Sequence, residues 1–187
     1  EHVMYRYLLL CVMLWAGVAC APVTDLDDTP EPLGDFRLGF NVVRVAPDAV
    51  KGPVSRTATT EDWTVPLQQA FDRRFDRFQG DTYYHLGVTV KGYILAQPGI
   101  PVVLSPKSVL IFDLLVIDNG TQKPLHGEPE QITVIESLTG ANIVGSGLTK
   151  TKEEQIEELA ATAARAAERW MRKQPWFFDN VGDTSGQ

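Results

Sequence analysis

Tyr83-Tyr84-His85-Leu86-Gly87-Val88-Thr89-Val90-Lys91-Gly92-Tyr93-Ile94-Leu95 decides the fold class. Tyr84, Leu86, Val88, Val90 and Ile94 fall on one face, and Tyr83, His85, Thr89, Lys91 and Tyr93 on the other, the period-two pattern of a strand. Gly92 inside it marks a bulge. The next apolar run, Ser108 to Asp118, has Val109, Leu110, Ile111, Phe112, Leu114, Leu115, Val116 and Ile117 on both faces, which predicts a central strand covered on both sides. Asp118-Asn119-Gly120 is a hairpin turn, so part of the sheet is antiparallel.

Gln131 to Leu138 alternates again and ends at Thr139-Gly140, with Ile143-Val144 as a short extension. Between the strands, Ile100 to Ser105 is a loop or a short edge piece. Upstream, Phe36 to Val45 alternates in part, with Phe36, Leu38, Phe40, Val42 and Val45 apolar, and Pro47 ends it. Ala46 to Thr64 then forms a long connection.

Two segments have the helical period. Over Trp63–Phe78, Leu67, Ala70, Phe71, Phe75 and Phe78 recur at three and four. Thr64 is the expected N-cap, Pro66 sits in the first turn, and Gly80 is the stop. Over Lys152–Lys173 the inner stripe is Ile156, Leu159, Ala160, Ala163, Ala167 and Trp170. Thr151 with Glu154 forms a capping box there, and Pro175 ends the helix. Trp176-Phe177-Phe178 follows as an apolar patch. This order predicts an α+β fold, a mixed, largely antiparallel sheet of about four to five strands with two helices packed on one face.

The chain has 187 residues, a net charge of −7 and two cysteines. Its length suits one domain. The acidic balance argues against nucleic acid as a partner, because phosphate binding needs a basic face. Two cysteines build neither a disulfide framework nor a four-cysteine zinc site.

The N-terminus gives an address. Arg6 precedes an apolar run from Tyr7 to Ala19, too short to span a bilayer, which needs about 20 apolar residues. Basic residue, short apolar run and small residues read as a secretory signal peptide over 1–19, with Met4 as the expected start. Gly17-Val18-Ala19-Cys20 resembles a bacterial lipobox, with Gly17 where leucine is usual. Cys20 is then the lipidated N-terminal residue, and Cys11 leaves with the signal. An ordinary cleavage site near Val18-Ala19 is the alternative. Ala21 after the cysteine, in place of aspartate, resembles the outer-membrane sorting pattern. Residues 20–34, with three prolines, four acids and no base after the cysteine, are expected to be an extended tether that contributes no core. The single domain is expected over 35–178, with a loose tail over 179–187.

Chemistry is sparse. There is no Walker A loop, GxSxG, HExxH or Rossmann glycine triplet. Gly140 to Gly147 precedes a helix and is read as a turn. His85 is expected to be an exposed strand histidine and His126 a loop histidine beside Glu128 and Glu130. Metal binding there would need a third ligand. Asp113 interrupts the central apolar strand. Either it is a buried acid paired to Arg37, Arg44 or Lys91, the favoured reading, or its face is open there. No catalytic set, cofactor site or metal site is expected.

The lipobox-like Gly17–Cys20, the strand Phe40-Asn41-Val42-Val43-Arg44-Val45, the helix from Trp63, the strand Leu86–Tyr93 and the alanine-rich last helix together resemble uncharacterised proteobacterial, chiefly alphaproteobacterial, outer-membrane lipoproteins. More distantly the chain is similar to the α+β lipoproteins of the curli-secretion and penicillin-binding-protein-activator type. The resemblance implies a periplasm-facing, membrane-anchored binding or structural component of an envelope complex, with a protein partner. An auxiliary lipoprotein of an envelope lipid transporter is the alternative. A hydrolase ranks below both.

Overall fold

A computed structural model describes residues 25–97, 107–136 and 150–177. The elements run β1 (Phe36–Lys51), α1 (Thr60–Phe75), β2 (Thr82–Ile94), β3 (Val109–Asp118), β4 (Lys123–Pro124), β5 (Glu130–Ile135), α2 (Lys152–Met171) and a 3-10 turn over Pro175–Phe177. The sheet order is β1-β2-β3, with β4 and β5 both paired to β3. β1 and β2 are parallel, which requires the crossover that α1 supplies. All other pairs are antiparallel, and the hairpin at Asp118 forms as read.

Both helices lie on one face of the sheet, as the sequence predicts. Lys152 meets Asp62 near the start of each helix and Arg74 meets Glu168 near the end, so α1 and α2 run parallel. Small residues at their contact, Ala70, Ala160, Ala163, Ala164 and Ala167, are all buried. The core beneath them is Phe36, Trp63, Leu67, Phe71, Phe75, Leu86, Val88, Val90, Leu110, Phe112, Leu114 and Val116. Among the described residues no helix is long and apolar enough to cross a membrane.

Several expectations are corrected. α1 starts earlier, with Thr59 as N-cap and Asp62 closing a capping box; Thr64 lies inside the helix. Pro66 is therefore past the first turn, where it removes one helical hydrogen bond. β1 continues through Pro47 to Lys51. It is an edge strand with a register shift between Val45 and Val50, the setting in which a strand tolerates proline. A second shift between Leu38 and Phe40 turns Phe40 and Val42 to the opposite face from Phe36 and Leu38. The bulge at Gly92 forms as read, and it swaps the next two residues, so that Tyr93 is buried and Ile94 is not. On α2, Met171 is fully buried and Trp170 only partly; Trp170 packs on His126 and Trp176.

The tether also differs. Leu33 is in the core, and Gly34 adopts φ +54° against the Phe177 carbonyl, where a Cβ would come within 1.7 Å of the oxygen. Residues 25–33 lie along the helices rather than hanging free. Ile100–Ser105, Gly140–Gly147 and Cys20 lie outside the described residues.

Candidate functional site

β3 has two unequal faces. Leu110, Phe112, Leu114 and Val116 are sealed under the helices, while Val109, Ile111, Asp113, Leu115 and Ile117 alternate with them and stay half-buried. The expectation of cover on both faces is therefore wrong for this strand. It is central by pairing, but among the described residues helices are on one side only. β1 adds Phe40 and Val42 to the open side, 56% and 55% exposed.

A groove of about 620 Å³ runs across this open face. Val42, Pro47, Leu115 and Pro129 form apolar wall, and Arg44, Thr89, Lys91, Asp48 and Asp113 are the polar groups. Arg44 Nε donates to Thr89 Oγ1 at 3.0 Å, and Lys91 Nζ lies 3.5 Å from Asp48 Oδ1. Asp113 is opposite Thr89 on one side and Gln131 on the other, and accepts from Gln131 Nε2 at 3.3 Å. Asp113 is thus not a buried acid paired to Arg37, Arg44 or Lys91. The other reading, an open face, is the one the structure supports, and it explains how a carboxylate is tolerated in an apolar strand.

His85 is placed differently from expectation, whereas His126 lies in the loop between β4 and β5 as read. His85 is buried under Phe40, the rings stacked at 3.7 Å, and its Nε2 is 2.9 Å from Asn119 Oδ1. The missing side chain at Gly39 makes room for the ring, because a Cβ there would come within 2.5 Å of it. His126 is a packed residue. Its Nε2 accepts from Val116 N–H at 3.1 Å, its Nδ1 faces the Glu128 carbonyl at 2.6 Å, and its ring stacks on Trp176. These contacts fix the tautomer with hydrogen on Nδ1. Among the described residues no three His, Cys, Asp or Glu side chains converge as metal ligands.

Charge on the helix side is locked in networks that sequence reading missed. Glu168, buried, is held by Arg74 and Arg172. Arg74 also pairs with Asp25 at 2.7 Å. Partial burial pushes the Asp25 carboxyl up, but the Arg74 hydrogen bond and charge, with Arg165 and Arg77 behind, outweigh it and hold the group below its ordinary range. Asp72 goes the other way. Burial and the nearby Asp76 raise it, against a hydrogen bond from Asn41. Lys150 bridges Glu136 and Glu158.

Comparison with known proteins gives likeness of shape only. No protein-family model and no curated protein matches the chain. Among solved structures it is similar to a Caulobacter crescentus CB15 protein assigned as a lipoprotein, with 13% identity, a TM-score of 0.39, and 72% of this chain and 89% of that one covered. A Xanthomonas campestris protein of family DUF330 matches at 12% identity and a TM-score of 0.37, over 76% of this chain and 92% of that one. The PelC dodecamer of Paraburkholderia phytofirmans matches at 14% identity and a TM-score of 0.32, over 72% and 92%. None of these assigns a role to a residue here.

Proposed function

We propose that this chain is a periplasm-facing envelope lipoprotein, anchored in the outer membrane through Cys20, that works by binding rather than by catalysis. The open face of its sheet docks a protein component of an envelope complex. The carrying observation is the apolar open side of β3. A solvated sheet face is normally polar, yet Val109, Ile111, Leu115 and Ile117 stand there, with Phe40 and Val42 alongside on β1. Contiguous exposed apolar surface rimmed by polar groups is the mark of an interaction site. The non-catalytic reading is supported by the histidines: both nitrogens of His126 are turned to Val116 and Glu128, and His85 is buried with its Nε2 on Asn119. The resemblance to alphaproteobacterial outer-membrane lipoproteins, and more distantly to the curli-secretion and penicillin-binding-protein-activator type, belongs to this reading.

The groove favours the alternative of an auxiliary lipoprotein of a lipid transporter. Apolar walls beside Arg44 and Lys91 suit an amphiphile with an anionic head. Mild crosslinking and pull-down of the mature protein, beside a Val42→Asp and Leu115→Asp double variant, separates the two. The docking reading expects a defined protein adduct that the variant loses. Bound lipid without a protein adduct supports the transporter reading. An adduct unchanged in the variant removes the open face from the account. Metabolic labelling with a fatty acid checks the anchor: Cys20→Ser should abolish label, and equal label would contradict it.

A further inference from the structure

Residues 25–33 form a strap fixed to the helix layer. Arg74 pairs with Asp25 at 2.7 Å, Arg77 donates to the Asp28 carbonyl at 2.6 Å, and Arg172 donates to the Glu31 and Pro32 carbonyls at 2.8 and 3.2 Å. Leu33 then enters the core. The strap begins on the outer side of the helices, where Asp25 and Leu26 sit with Ala70, Ala161, Arg73 and Arg165 around a small cleft. From Cys20 to Asp25 is a short length of chain, whose full extension is about 17 Å. A free tether running to Gly34 would instead extend about 50 Å. The open sheet face is on the far side of both the helix layer and the sheet from the point where the strap begins.

We infer that the strap seats the outer side of the helix layer on the bilayer surface and turns the open sheet face away from the membrane. The partner of the helix side is the phospholipid headgroup surface. Arg73 and Arg165 flank the strap's start, and guanidinium groups pair with lipid phosphate. The same geometry leaves the open face free for the protein partner. This rests on lipid attachment at Cys20, which the intact mass of the mature protein reads independently.

The test uses mature protein purified from membranes and returned to vesicles of phosphatidylethanolamine and phosphatidylglycerol containing a nickel-chelating lipid. A nitroxide is placed at Ala161→Cys on the helix side or Val42→Cys on the open face. Relaxation by the headgroup nickel should be several-fold stronger at position 161. A Gly-Ser linker of about ten residues inserted between Pro22 and Val23 leaves every strap contact in place and should erase the difference. Arg74→Glu with Arg172→Glu should do the same in protein whose circular dichroism remains native. Acylated protein with equal relaxation at both sites, or a stronger effect at position 42, overturns the orientation. Absence of the acyl mass on Cys20 overturns the anchor, and the orientation with it.

Discussion

Phe112 and Asp113 are neighbours on β3 with opposite surroundings. One is fully buried beneath α1 and α2; the other lines a groove, flanked in the sheet by Thr89 and Gln131. The covered face holds the fold, through aromatic and aliphatic packing and through Glu168 between its arginines. The open face of β3 is also mostly apolar, interrupted by Asp113, and has no covering layer among the described residues. Apolar side chains left half-buried on a central strand are the observation on which the proposed binding role rests.

The sharpest way to break this contrast is truncation on either side of one strand. Phe112→Ala should destabilise by about 3–5 kcal/mol, as for a buried aromatic. Leu115→Ala, on the open side, should cost about 1 kcal/mol or less. Denaturant midpoints of the pair decide it; similar losses would mean that the open face is also core.

Charge gives the next contrast. Glu168→Ala leaves Arg74 and Arg172 without their shared buried acid and should cost about 3 kcal/mol. Asp113→Asn should leave stability within about 0.5 kcal/mol. Thermal melts of both variants check this, and an equal loss would place Asp113 in a structural pair after all.

Trp170→Ala falls between these. The ring is half-exposed but packs on His126 and Trp176, so a loss of about 1–2 kcal/mol is expected. A loss as large as that of Phe112→Ala would return Trp170 to the core stripe of α2.

How much of this was legible follows from range. The strand at Tyr83, the hairpin at Asp118 and the capping box of α2 rest on neighbours in sequence and read correctly. The Thr59–Asp62 capping box was equally local; it was missed because the apolar period was counted from Trp63. Bulges defeat simple alternation, since one extra residue reverses every later side chain. That is why Phe40, Val42, Tyr93 and Ile94 changed sides. The strap was illegible because Asp25 meets Arg74 and Glu31 meets Arg172 across 49 and 141 residues. Composition showed its acids and prolines but not the arginines that receive them. Asp113 was readable only as a pair of alternatives, because a strand apolar on both faces looks the same whether its second face meets a helix or a partner.

Acid gives smaller effects with opposite signs. Asp25, Asp35, Asp62 and Asp118 are all lowered in the fold, so their contributions are present above the ordinary Asp value of 3.8 and fade as pH falls through the lowered range. The melting temperature should fall in that window. Asp72 is raised, so its contribution is present only at low pH and is lost as pH rises through its folded value. Asp72→Asn should therefore be neutral or slightly stabilising at pH 7, and a clear loss in a thermal melt would contradict that sign.

The most direct test of the open face as the working surface is site-resolved photocrosslinking in intact cells. A benzophenone amino acid at Val42 or Leu115 is compared with one at Gln69, which is exposed on the helix side. The account expects a discrete protein adduct from positions 42 and 115 and none of that mass from 69. Adducts from 69 alone, or none from the open face in stably folded protein, would contradict it.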